Sequence, residues 1–372
     1  MNVTPEIMAK AKAILKTEVS EPVLRLLLEK IPSEEIMTMS LSMMEDHIRT
    51  APAGTPEQTV AYIMQKMKKL SDARKEDTPG NSKQFTRKYF DSIWLEQRLM
   101  HAKMPDTALT LFGETFASPI MTAALSHLNL YIPNRESPMV SMAAAAKEAG
   151  IVHWVGMCED EEFDEIAATG ARIIRIIKPY ADEEKTLRQI KHTEESGALA
   201  VGLDIDHTFD EDGELDVVRG EPMAIRSAET LRRYIESTSL PFVIKGVLSV
   251  QDALACAEIG AKGIMVSSHG GRMKFAVPPL MVLPEIAKAV GGKMEIFADG
   301  GVTSGADVYK ALALGANAVG VGNHFIPLVA QGGSAAVANR IKEMTKELKG
   351  FMANTGVADT RSFDPTVLHF QR

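Results

Sequence analysis

Seven residues in the second half of the chain, Val266-Ser267-Ser268-His269-Gly270-Gly271-Arg272, set an imidazole and a guanidinium three positions apart in a glycine-bearing turn. That pairing suits a base standing beside an anchor for a carboxylate. Lys245 closes the apolar run Phe242-Val243-Ile244, and Asp204 closes another that begins at Ala198. A lysine ending a buried run is a candidate for stabilising developing negative charge, although pairing with an interior carboxylate such as Asp299 also explains its position. Asp204 can orient an imidazole and stabilise its cationic form. Asp299-Gly300-Gly301 and Gly322-Asn323 end two further apolar runs. Glycines there let backbone N–H groups approach an anion, which makes these turns a candidate phosphate cradle. Capping of the next helix by Thr303 or Ser304, with Asp307 completing a capping box, explains the same residues and is compatible with that role.

These residues stand at the ends of short aliphatic runs that alternate with amphipathic stretches. Runs over 119–123, 151–155, 172–177 and 198–203 precede the four that lead to Lys245, His269, Asp299 and Gly322, and a helical pattern follows each. Apolar runs too continuous for a one-sided sheet read as buried parallel strands in βα units. Eight such units predict an α/β fold, the (β/α)8 TIM barrel, over 118–328. Function in that fold gathers at the C-terminal strand ends, where the candidate residues lie. Residues 205–226 are acidic and turn-rich and read as an insertion over the barrel mouth. Residues 1–105 carry helical patterns over 21–30, 33–47 and 55–70, with a charged loop over 66–82, and read as a helical N-terminal extension. The barrel, with a last amphipathic helix over 334–352, takes 106–372.

The chain has 372 residues and a formal charge of −8, which argues against a nucleic-acid or anionic-membrane partner. Two cysteines, Cys158 and Cys256, cannot build a disulfide framework. With neither a signal-peptide pattern nor about 18 consecutive apolar residues, a cytoplasmic protein is expected. No metal-ligand cluster, P-loop or dinucleotide fingerprint stands out, so no metal is expected.

From about residue 111 to 356 the chain resembles the FMN-dependent α-hydroxy-acid dehydrogenase and oxidase family, which includes glycolate and lactate oxidases. Lys245-Gly246 is similar to that family's strand-five Lys-Gly, and Ser267-Ser268-His269-Gly270-Gly271-Arg272 to its Ser-Asn-His-Gly-x-Arg. Asp299-Gly300-Gly301 with the helix 310–316, and Ser118-Pro119-Ile120-Met121, resemble two more of its motifs. The resemblance implies FMN as cofactor and oxidation of a small-molecule 2-hydroxy acid to the 2-keto acid, within a homo-oligomer. It makes His269 the base, Asp204 its support, Arg272 the carboxylate anchor and Lys245 a neighbour of the flavin edge. Ala123, Ala124, Leu125, Arg175, Ser267, Asp299, Gly300, Gly301, Gly322 and Asn323 complete the implied FMN contacts. Arg175 stands where the family has glutamine, and Ile177 where it has a substrate-binding tyrosine. Thr303 and Asn323 replace two phosphate-binding arginines, so FMN binding weaker than is usual for the family is expected. Other readings are an isopentenyl-diphosphate-isomerase-like flavin chemistry, or a binding protein that keeps FMN without turnover.

Overall fold

The computed structural model describes the chain except residues 16, 32–36, 74–78, 101, 133–135 and 372. Eight parallel strands form its central sheet: β1 (Ile120–Thr122), β2 (His153–Val155), β3 (Ile173–Ile177), β4 (Ala200–Asp204), β5 (Phe242–Val247), β6 (Gly263–Val266), β7 (Glu295–Asp299) and β8 (Ala318–Val321). From β2 to β8 they neighbour one another in chain order, and β8 pairs with β1 through Val319↔Ile120, Gly320↔Met121 and Val321↔Thr122. Parallel bridges Met121↔Val152 and Leu125↔Val155 join β1 to β2, so the ring closes. The expected (β/α)8 barrel is present, including the pairing of first and last strands that closure requires.

Along each strand, side chains alternate between the barrel interior and the helix layer. Met121, Trp154, Ile176, Val243, Met265 and Phe297 fill the interior, where the rings of Trp154 and Phe297 meet edge-on at 5.3 Å. Ile120, Ile173, Ile177, Ile244 and Ile296 belong to the cluster shared with the helices. A hairpin that the sequence did not reveal, Leu109–Leu111 with Glu114–Phe116, precedes β1. Its Leu109, Leu111 and Phe116 plug the end of the barrel away from the mouth.

Helices α1 (Pro5–Ile14), α2 (Glu21–Lys30), α3 (Met37–Arg49) and α4 (Pro56–Ala73) bury a core of their own around Leu24, Leu27, Leu28, Leu41 and Ile63. Of the helix expected over 33–47, residues 33–36 lie outside the described residues. Of the loop expected over 66–82, residues up to Ala73 are helical and 74–78 lie outside. Helix α5 (Ser82–Asp91) then lies across the barrel mouth, where Ser82 Oγ donates to Met273 O at 2.7 Å and accepts from Ala276 N at 2.9 Å.

Around the sheet run α6 (Pro138–Ala149), α7 (Asp160–Ala167), α8 (Glu183–Glu195), α9 (Ala228–Glu236), α10 (Val250–Glu258), α11 (Pro279–Val290), α12 (Gly305–Ala313) and α13 (Ile326–Thr355). Asp182, Ser227, Ser249 and Ser304 each accept an N–H from the first turn of α8, α9, α10 and α12. A short polar side chain thus starts each of these helices and frees the preceding loop for other work. The last helix begins eight residues before the expected 334, but Gly333, at φ 59° and ψ −150°, breaks its geometry where the sequence pattern starts. The excursion 205–226 is loop-rich as expected, with one short antiparallel pair, Val217–Val218 against Glu221–Pro222. Among the described residues no helix is long and apolar enough to cross a membrane.

Candidate active site

Asp204 and Lys245 are paired residues at the inward-facing ends of β4 and β5, and both are buried. Lys178, one residue beyond β3, places Nζ 2.6 Å from Asp204 Oδ2, while Lys245 Nζ lies 3.4 Å from the same oxygen. Lys245 Nζ also reaches Asp206 Oδ2 at 3.1 Å and lies 2.9 Å from His269 Nδ1. Burial disfavours every one of these charges; the attraction of opposite charges outweighs it at Asp204 and Lys245, whereas burial prevails at Lys178, Asp206 and His269. Against burial, Lys178 and Lys245 hold Asp204 well below the usual carboxylate range, and the carboxylates of Asp204 and Asp206 raise Lys245. Burial and the Asp204 charge push Asp206 up to about 6. Asp299, at the end of β7, is raised by burial, with Lys245 and Ser267 opposing.

Asp206 was not singled out in the sequence, yet it is the carboxylate nearest the base. Its Oδ1 lies 2.6 Å from His269 Nδ1, whereas Asp204 Oδ2 is 3.5 Å away. The carboxylate accepts from Nδ1–H, which leaves Nε2 as the basic nitrogen. Gly246 makes this approach possible: at φ 95°, a Cβ there would stand 2.7 Å from the Asp206 carboxylate. Burial first, then the Lys245 charge, keep His269 well below its ordinary pKa, so it is a neutral base at pH 7. Its own backbone is strained, with φ 48°.

His269 Nε2 faces His207 Nε2 at 3.1 Å, and His207 donates through Nδ1 to Asp216 Oδ2 at 2.7 Å. Arg272 Nη2 lies 2.5 Å from the same Asp216 oxygen and donates to Phe209 O at 2.8 Å. A cavity of about 800 Å³ opens over these groups, lined also by Phe209, Leu248, Met273 and Ala276. That volume takes a small organic molecule. Asp204, Asp206, His207 and His269 have ligand atoms within 4.8 Å of one another, a spacing that could hold a metal ion. The ammonium groups of Lys178 and Lys245 already supply the cations there, which disfavours a metal.

Two sequence assignments on β3 are corrected. Arg175 does not reach the mouth: its guanidinium stacks on Phe163 at 4.4 Å and donates to Cys158 O and Asp160, between α7 and α8. Ile177 shares that outward face. The residue that turns inward near the base is Lys178, one position beyond this strand, so the site gains an ammonium there.

The turns after β7 and β8 fit a phosphate-bearing cofactor. Among the described residues, none accepts a hydrogen bond from the N–H of Gly301, Gly322 or Asn323. Gly301 has φ 74°, and a Cβ there would strike Thr86 of α5 at 2.9 Å, so only glycine lets the turn and helix meet. Ala123 lies against Gly322, where an added Cβ would meet its own at 3.0 Å, and Ala123 N donates to Val321 O. The residues after β1 and β8 are therefore neighbours, as the implied FMN contacts require. Arg340, from α13, donates to Thr303 O at 2.9 Å and to His324 Nε2 at 3.0 Å, tying the two turns together. Arg87 of α5 donates to Gly301 O and grips Asp307 with two nitrogens, at 2.9 Å each. Guanidinium groups thus flank both turns despite Thr303 and Asn323, though they come from helices far away in sequence.

The model of the FMN-dependent dehydrogenase family matches residues 73–228 and 217–370. The chain belongs to this family. A 4-hydroxymandelate oxidase of Amycolatopsis orientalis is 30% identical over 287 residues, covering 67% of this chain and 79% of the relative. Glycolate oxidase 3 of Arabidopsis thaliana is 30% identical over 320 residues, 76% of this chain and 86% of its own length. The fold superposes on a solved mandelate oxidase variant carrying a monooxide FMN adduct, with TM-score 0.72, 28% identity, and coverage of 81% of this chain and 95% of that one. This member of the FMN-dependent dehydrogenase family is an oxidoreductase with FMN as its cofactor. Helices α1–α3 precede the matched residues altogether.

Proposed function

We propose that the chain oxidises 2-hydroxy acids to 2-keto acids and prefers those with an apolar side chain. One observation carries the reading: a neutral histidine backed by a carboxylate and an arginine three residues on open together onto one cavity beside a buried lysine. His269 Nε2 takes the proton of the substrate, and Asp206 stabilises the imidazolium that forms, with Asp204 behind it. Arg272 holds the substrate carboxylate in a bidentate fork. FMN, when bound, accepts the hydrogen and electron pair that leave the substrate carbon. Ala123, Ala124, Leu125, Lys245, Ser267, Asp299, Gly300, Gly301, Gly322 and Asn323 are the residues that would hold it, with the glycine-turn N–H groups on its phosphate. The apolar preference rests on Phe209, Leu248 and Met273 around the cavity. Two buried, unpaired cysteines support a reducing compartment such as the cytoplasm.

The test is the absorbance of the purified flavoprotein, followed without oxygen as 2-hydroxy acids with phenyl, branched-alkyl, methyl or no side chain are added. Bleaching that is fastest with the apolar acids is the expected result. A flavin band unchanged by all of them sinks the reading.

A further inference from the structure

The two groups assigned to the substrate are both already engaged, and by one segment. His207 stands on the basic nitrogen of His269 at 3.1 Å, and Asp216 stands on Arg272 at 2.5 Å. His207 and Asp216 are bonded to each other at 2.7 Å, so they occupy the base and the carboxylate anchor as a unit. His207 thus covers the basic nitrogen while the Asp216 carboxylate sits on the arginine, which are the two places a 2-hydroxy acid would take. The unit is held in place by its own backbone bonds, Asp216 N to Thr208 O at 3.1 Å and Met223 N to Asp216 O at 2.8 Å. It is also held from outside the barrel. Arg219, at φ 53°, meets buried Glu45 of α3 at 3.0 Å, and Asp212 meets Lys66 of α4 at 2.8 Å. Helix α3 lies outside the part of the chain matched by the family model, and so does Lys66 of α4.

We propose that His207 and Asp216 are specificity-determining residues that occupy the substrate anchors until a ligand displaces them, and that the N-terminal helices hold them there. The proposal rests on the reading of His269 and Arg272 as substrate anchors. A ligand then pays for its own entry by opening the 205–226 segment, and its apparent affinity falls by the fraction of molecules that are open. If about one molecule in ten is open, removing the resident pair tightens ligand binding by about tenfold.

The probe is oxalate, a dianion that is not turned over, titrated into the FMN-loaded protein and read by the change in flavin absorbance. Asp216→Asn and His207→Ala are each expected to lower its Kd by about tenfold, because an open site is no longer rare. Glu45→Gln is expected to lower it too, by a smaller factor, through weakening of the outer hold. In the unmodified protein, oxalate is expected to speed amide hydrogen exchange at Asp216 and Met223, which needs no variant to fold. A Kd that is unchanged or raised in both site variants, or slower exchange with oxalate bound, overturns the proposal. Tighter binding in those variants with no change in Glu45→Gln overturns the role of the N-terminal helices. Because oxalate is not oxidised, these outcomes are separate from whether any 2-hydroxy acid bleaches the flavin.

Discussion

At the scale of residues, the chemistry depends on which carboxylate stands behind the base. Asp206, 2.6 Å from His269 Nδ1, is raised to about 6 by burial and by the Asp204 charge. Above pH 6 it is ionised and stabilises the imidazolium; as pH falls through about 6 it is protonated and that support is lost. His269 itself is held well below its ordinary range, so its own protonation does not set this limb. The rate of flavin reduction should therefore fall on the acid side of about pH 6. In Asp206→Asn the whole profile should drop by roughly tenfold or more and that limb should vanish; an unchanged limb assigns it elsewhere. Arg272→Lys should raise KM and lower kcat in steady-state assays, since a lysine cannot form the bidentate fork. Lys245 and Asp204 were legible because each ends an apolar run, where inward side chains meet, and His269 and Arg272 because they share one glycine-bearing turn. Asp206 lies two residues past its strand end, where alternation no longer fixes direction, and the one hint was Gly246 opposite. Arg175 was misplaced for a related reason: a shift of one residue on a strand exchanges its two faces.

At the scale of elements, the flavin phosphate depends on two turns and on what ties them. Arg340 bonds Thr303 O and His324 Nε2 from α13, 37 and 16 residues away in the chain. No spacing rule marks such a residue, so the loss of two motif arginines looked uncompensated in the sequence. Replacing Arg340 by Met removes its two hydrogen bonds to the turns, each worth about 1.5–3 kcal/mol at most, together with its ion pairs to Glu343 and Glu347. FMN affinity in a titration of the apoprotein should weaken by at least about tenfold, with far-UV circular dichroism unchanged. Gly301→Ala should be worse, because φ 74° disfavours any side chain and Thr86 leaves no room for one. An Arg340→Met protein that binds FMN as the parent does would remove α13 from the cofactor site.

At the scale of the whole molecule, the N-terminal helices and the barrel interior keep separate hydrophobic cores. One surrounds Leu24 and Leu27 among α1–α4, and the other fills the barrel around Trp154 and Phe297. The barrel was legible because eight runs, each with its own breaker and helix, leave few alternative folds. The N-terminal helices were legible as helices only, since their amphipathic faces do not say what they cover. Leu24→Ala should cost about 2–5 kcal/mol in the N-terminal core, read in denaturant or thermal unfolding, and leave FMN affinity unchanged. Phe297→Ala should cost about 3–5 kcal/mol and weaken FMN binding as well, because the layer beneath the mouth is lost. Equal effects of the two on FMN would mean that the cores are not independent.

The central claim is that His269 is the base of a flavin-dependent oxidation. Rapid mixing of the FMN-loaded protein with an apolar 2-hydroxy acid, without oxygen, measures the rate of flavin reduction directly. In His269→Gln that rate should drop by about 10²–10⁴-fold while the flavin stays bound, because the base is lost and the phosphate turns are untouched. Reduction at the parent's rate in His269→Gln would contradict the account.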